Sequence, residues 1–158
     1  MTAHQLKGEK LVVGEADSGL DYFSCFFYDS ETDVEFDGDS LYRDLSHRKV
    51  IEYVGFADEV AGEVGDHGTH VAGSIMGGVA SADDGGGIDD DQLVTAAHRF
   101  DGMAFEGKMA FFDIGEAGQP FLNVPGALED SMFPFAYDMG ARLHSNSWGA
   151  NSNSYNDN

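Results

Sequence analysis

Apolar residues in this chain fall in short runs separated by polar and glycine-rich stretches. Residues 11–16, with paired Val12 and Val13 ahead of Asp17-Ser18-Gly19, predict a buried strand that runs into a sharp turn. Asp17 then sits at that strand's carboxyl end. Residues 49–54 carry Val50, Ile51, Tyr53 and Val54 and predict a second strand, because β-branched and aromatic side chains suit a pleated surface. Residues 67–76 place Val71, Ala72, Ile75 and Met76 at helical spacing. Gly68 and Gly73 lower intrinsic helicity there, so this helix depends on close packing. Residues 108–114 predict a third strand and 142–148 a fourth. Between them, residues 127–139 hold Leu128, Met132, Phe135, Ala136 and Met139 at helical spacing, with Gly140 as a stop. Strands that alternate with helices, with no hairpin turns between them, predict parallel βαβ units and an open α/β sheet.

The polar stretches are acidic. Aspartates and glutamates at 29, 31, 33, 35, 37, 39 and 44 predict a surface loop, since such a density of like charge belongs in solvent or around a cation. Residues 80–101 read as an acidic insertion that interrupts the domain without ending it. Across 158 residues, 8 Lys+Arg face 29 Asp+Glu, a formal charge of −21. A surface of that sign repels phosphate backbones and anionic lipid, which argues against nucleic acid and membrane surfaces as partners. Divalent cations and neutral or basic substrates remain open. The charge also suits a high-salt setting, where screening relieves self-repulsion. With 42% hydrophobic residues there is material for one sizeable core, and no apolar run approaches the roughly 20 residues of a membrane helix. The single cysteine, Cys25, has no internal disulfide partner and reads as a buried thiol.

Asp17 alone would be a turn residue or helix cap. The run Asp66-His67-Gly68-Thr69-His70-Val71-Ala72-Gly73-Ser74 is more specific, because it sets a histidine at a helix entry. The positive end of the helix dipole favours the neutral imidazole that a general base requires. With these two segments, Gly102-Met103-Ala104 before the third strand and Ala141 to Ala150 reading ARLHSNSWGA, the chain resembles the subtilases, the subtilisin-like serine proteases. The motifs occur in the family's order from about residue 8 to about residue 150. The last block is most similar to an alkaline branch that carries a β-sandwich after the catalytic domain.

The resemblance implies a three-layer αβα fold, an Asp-His-Ser triad with Asp17 as its acid and His67 as its base, and a polypeptide substrate. It implies that Ser147, Trp148 and Gly149 belong to a substrate-binding strand beside the S1 pocket, that loop 115–118 lines the opposite side, and that His70 is a packed structural residue. It also implies an extracellular location. Asp66 departs from the family's usual Gly or Ser, and Phe105 from its usual Pro. No Gly-Thr-Ser-Met-Ala nucleophile motif and no Gly-Asn-Glu or Gly-Asn-Asp oxyanion block occurs. In the family both lie beyond the position of Asn158. Residues 1–158 are therefore expected to be an incomplete, amino-terminal part of a catalytic domain, inactive alone and in need of its carboxy-terminal half. The competing expectation is a non-catalytic module that binds calcium or offers a substrate groove. Asp33, Glu35, Asp37 and Asp44 fit an EF-hand-like spacing, with calcium as a possible structural ion, although the flanks do not read as helices and a solvated acidic loop is the simpler reading. No cofactor is required for the chemistry. His67 and His70 stand three apart without an intervening acid, which is poor zinc spacing.

Overall fold

The computed structural model describes residues 6–36, 40–58 and 67–149. Its centre is a five-stranded sheet. The strands are β1 (Val12–Asp17), β2 (Leu41–Arg43), β3 (Val50–Gly55), β4 (Lys108–Asp113) and β5 (Leu143–Ser145), in spatial order β2-β3-β4-β1-β5. Every neighbouring pair is parallel except β2 with β3. Three of the four expected strands lie within a residue of their expected ends. The fourth is shorter, since only residues 143–145 pair with β1.

Alternation along the strands divides the core into two layers. Val13, Tyr53, Met109 and Phe111 face helix α1 (His67–Met76), which contributes Ala72 and Met76. Ala16, Ala110 and Phe112 face α3 (Met132–Asp138), which contributes Met132 and Ala136. Helices therefore cover both faces of a mainly parallel sheet, the αβα arrangement. Gly14 is needed for the second contact, because a Cβ there would stand 2.7 Å from the Ala136 Cβ and 2.4 Å from the His144 ring.

The connections differ in hand. From β1 to β3 the chain moves one way across the sheet over the α1 face, where Leu20, Tyr22 and Phe27 join the core. From β3 through α1 to β4 it returns over that same face, and from β4 through α3 to β5 it continues in the return direction over the other face. The first and third crossovers share one hand and the β3-α1-β4 crossover has the opposite. Given the strong preference for right-handed crossovers, the α1 connection is the left-handed exception. Its geometry carries the start of α1 to the carboxyl end of β1.

Two elements differ from expectation. β2 makes an antiparallel pair with β3 inside what read as an unbroken acidic loop; at three residues it is too short to show a period of two. The expected helix over 127–139 is a 3-10 turn, Leu128–Asp130, followed by α3. Pro134 has no N–H to donate and its ring would clash with the carbonyl four residues back, so the helix cannot begin earlier than about its preceding turn. The acidic segment contains α2 (Asp91–Ala97), capped by the Asp90 carboxylate, which accepts from the Gln92 and Leu93 N–H groups at 2.9 and 3.2 Å. Cys25 is exposed rather than buried, because residues 23–26 form a surface turn between Tyr22 and Phe27, the residues that reach the core.

Candidate active site

Crossover connections in a parallel sheet leave a crevice at the carboxyl ends of the strands. Here the end of β1, the end of β4 and the start of α1 converge. Asp17 is 1% exposed, and its Oδ1 and Oδ2 lie 2.9 and 3.1 Å from His67 Nδ1, a contact between residues 50 apart in sequence. The Ser18 N–H also donates to Asp17 Oδ1 at 2.7 Å. The His67 side chain is 58% exposed. With Nδ1 held by a buried carboxylate, the ring can exchange a proton through Nε2 while the acid stabilises the imidazolium.

Small residues make this approach possible. A Cβ on Gly68 would sit 2.3 Å from the Gly19 carbonyl oxygen and 3.0 Å from the Asp17 Cβ, so only glycine lets α1 meet the Ser18–Gly19 turn. The turn and helix are then tied by side chains: the Gly68 N–H donates to Ser18 Oγ at 3.1 Å, and the Asp21 N–H donates to Thr69 Oγ1 at 2.8 Å. At the other end of α1, the buried Lys49 ammonium donates to the Met76 carbonyl at 2.8 Å and to the Phe105 carbonyl. A cation on the helix's carboxyl end complements its dipole.

A second layer was not singled out in the sequence. The Tyr53 hydroxyl donates to Asp113 Oδ2 at 2.6 Å and accepts from the Leu20 N–H at 3.3 Å, linking the end of β4 to the turn after β1. Burial and the neighbouring Asp113 hold the Tyr53 phenol well above its usual range. Gly115 packs against Ser18, where a Cβ would lie 2.7 Å from the Ser18 Cα. A signal was present, since Asp113-Ile114-Gly115 repeats the strand-final acid and glycine of Asp17-Ser18-Gly19. Of loop 115–118, only Gly115 is buried; residues 116–118 are exposed.

The Trp148 indole N–H donates to the Ala16 carbonyl at 2.8 Å, one residue before Asp17, and its ring packs on the layer of Ile114 and Met132. This fixes residues 146–149 beside β1 and leaves Ser147 and Gly149 exposed. Ser147 shares a groove of about 600 Å³ with Val13, His70, Val71 and Ser145. His70 lines that groove and is exposed, a correction to its expected packed role. Gly68, Ala72 and Met76 turn toward the sheet at intervals of four, and a residue two beyond Gly68 projects away from it.

Asp33 and Glu35 are exposed, and Asp44 Oδ1 accepts from the Ser46 N–H at 2.7 Å and the Ser46 hydroxyl at 2.5 Å. Asp37 and Asp66 lie outside the described residues. Among the described residues no group of three or more His, Cys, Asp or Glu is placed to hold a metal, and no helix is long and apolar enough to cross a membrane.

An Asp–His distance alone does not identify the site. His98 Nδ1 lies 2.9 Å from Asp101 Oδ2, but these residues are three apart in one surface turn. The Asp17–His67 pair differs in joining a strand end to a helix start at the crevice of a parallel sheet.

Comparison with known proteins bears on that difference. Residues 8–158 match the model of the subtilase family. Two proteins of Dictyostelium discoideum, the serine protease/ABC transporter B family proteins tagD and tagB, are 35% and 34% identical over 147 residues, and a third, tagA, is 29% identical over 146. Each alignment covers 92% of this chain and 7% of the relative, so the chain spans a small part of those proteins' length. A family match across nearly the whole sequence, on a mainly parallel αβα fold, establishes that this chain belongs to the subtilase family of serine proteases.

Proposed function

We propose that these residues are the part of a subtilisin-like serine endopeptidase domain that carries the acid and the base. The observation behind this reading is the 2.9 Å contact between His67 Nδ1 and the buried Asp17 carboxylate. In the proposed mechanism Asp17 accepts a hydrogen bond from Nδ1–H and fixes the ring. His67 Nε2 takes the proton from a serine hydroxyl as the oxygen attacks a peptide carbonyl, then returns it to the leaving amine. The serine and the oxyanion donor come from the remainder of the domain. Ser147, Trp148 and Gly149 bind an extended polypeptide through their backbone, since Trp148 pins this segment beside the strand that ends in Asp17. The likeness to the alkaline branch, the following β-sandwich and action outside the cell belong to this proposal.

The test is hydrolysis of a chromogenic peptide. Residues 1–158 alone are expected to show no turnover, whereas a longer form containing the family's serine motif cleaves the peptide and is blocked by a serine-directed inhibitor. In that form Asp17→Asn lowers kcat by about 10⁴-fold, and His67→Ala abolishes comparable activity. Full turnover by the His67→Ala form would overturn the assignment and favour a non-catalytic module.

A further inference from the structure

β1 carries two buried acids on one face. Val13, Glu15 and Asp17 alternate toward α1, with Val13 packed in the layer of Ala72 and Met76 and the Asp17 Cβ against Gly68. Glu15 is 0% and Asp17 1% exposed. Asp17 has the His67 ring and the Ser18 N–H as partners. Neither carboxyl oxygen of Glu15 has a hydrogen-bond partner among the described residues. Two residues of strand separate the groups by roughly 7 Å. Two anions that close, away from water, with donors for only one, are not sustained together.

We propose that Glu15 is a positioning residue for the Asp17–His67 pair: held as an uncharged carboxyl, it adds no unpartnered charge to β1 behind the imidazole, where Asp113, registered beside Asp17, is already occupied by its own donors, and loss of its proton tightens the ring's hold on its own. The inference deepens the reading of this pair as acid and base, and rests on that reading for its catalytic consequence.

The surroundings bear it out. The residues registered beside Glu15 are Phe111 on β4 and Ser145 on β5, both uncharged. β4 also carries Asp113, occupied by the Tyr53 hydroxyl and the Gly115 N–H, and Lys108, whose ammonium is bonded to the Leu45 carbonyl. On β5, His144 lies on the other face, against Gly14 and Phe133. α1 brings His67 and His70, and α3, with Tyr137 and Asp138, covers the opposite face. Among the described residues no cation is paired with Glu15. Burial first, and the Asp17 charge second, push its carboxyl up to about 9. A negative charge at 15 and a positive charge at 67 then favour each other, so the two titrations are linked.

The experiment is an NMR titration of this chain with ¹³C-labelled glutamate and histidine. The Glu15 carboxyl resonance, assigned by its loss in Glu15→Gln, is expected at the protonated position through neutral pH, with its step near pH 9. The His67 ring resonances show a second, small step at the same pH, absent from Glu15→Gln, while their main step persists. Glu15→Met serves the same purpose if the glutamine form fails to fold. A Glu15 carboxyl already ionised at pH 6, or an alkaline His67 step that survives both substitutions, would overturn the proposal. Peptide hydrolysis is a separate readout: its failure in the serine-bearing form sinks the protease reading and leaves the titration result standing.

Discussion

At position 15 the chain buries a carboxyl group with no hydrogen-bond partner among the described residues, and the cost of doing so depends on pH. In the unfolded chain this group ionises near 4.5, whereas in the fold it stays protonated up to about 9. Between those values the native state binds the extra proton, so stability falls as pH rises. At pH 7 the gap corresponds to about 3 kcal/mol. Glu15→Met, which keeps the volume and removes the acid, is expected to be more stable by that order at pH 7. The advantage should be small near pH 4.5 and grow toward pH 9. Urea unfolding of both forms at several pH values measures it, and a constant difference would show that Glu15 is charged in the fold.

At the level of the elements, the glycines of α1 make contrasting predictions. Gly68→Ala places a methyl 2.3 Å from the Gly19 carbonyl, a contact that backbone must yield to relieve. It should cost about 2 kcal/mol and draw His67 away from Asp17, seen as loss of the Nδ1–H resonance. Gly73 has nothing within 4 Å of a Cβ, so Gly73→Ala should add up to about 1 kcal/mol through helix propensity and leave that resonance in place. Thermal melts and proton spectra of the two variants check the pair. The same elements show what the sequence could and could not disclose. α1 and the long strands were legible because their apolar residues recur at the period of the element. Asp17 and His67 were legible because the residues around them form recognisable motifs. The Tyr53–Asp113 link was not, since nothing local ties residues 60 positions apart. Nor was the packing of His70, because its exposure depends on which stripe of α1 meets the sheet. The late start of α3 was not legible either, because the stripe of apolar residues around Pro134 spoke for a longer helix.

Across the whole molecule the formal charge of −21 works against compaction. Raising sodium chloride from 0.1 to 1 M shortens the screening length from about 10 to about 3 Å. The midpoint of thermal unfolding should rise accordingly, and a flat or falling midpoint would show that self-repulsion is not the limiting term. The β5 end of the sheet adds a second whole-molecule trait. Leu143 is 59% exposed there, and His144 buries both ring nitrogens without partners among the described residues. Among the described residues β5 therefore presents a strand edge beside an apolar groove.

The strand order also constrains when the pair can form. β1 is flanked only by β4 and β5, both far later in the sequence. On a ribosome, the first strand must wait for residues 108–113 before it gains a ladder of its own, and α1 has no finished surface to settle on until then. Asp17 and His67 are thus synthesised early but meet late, once most of this layer exists.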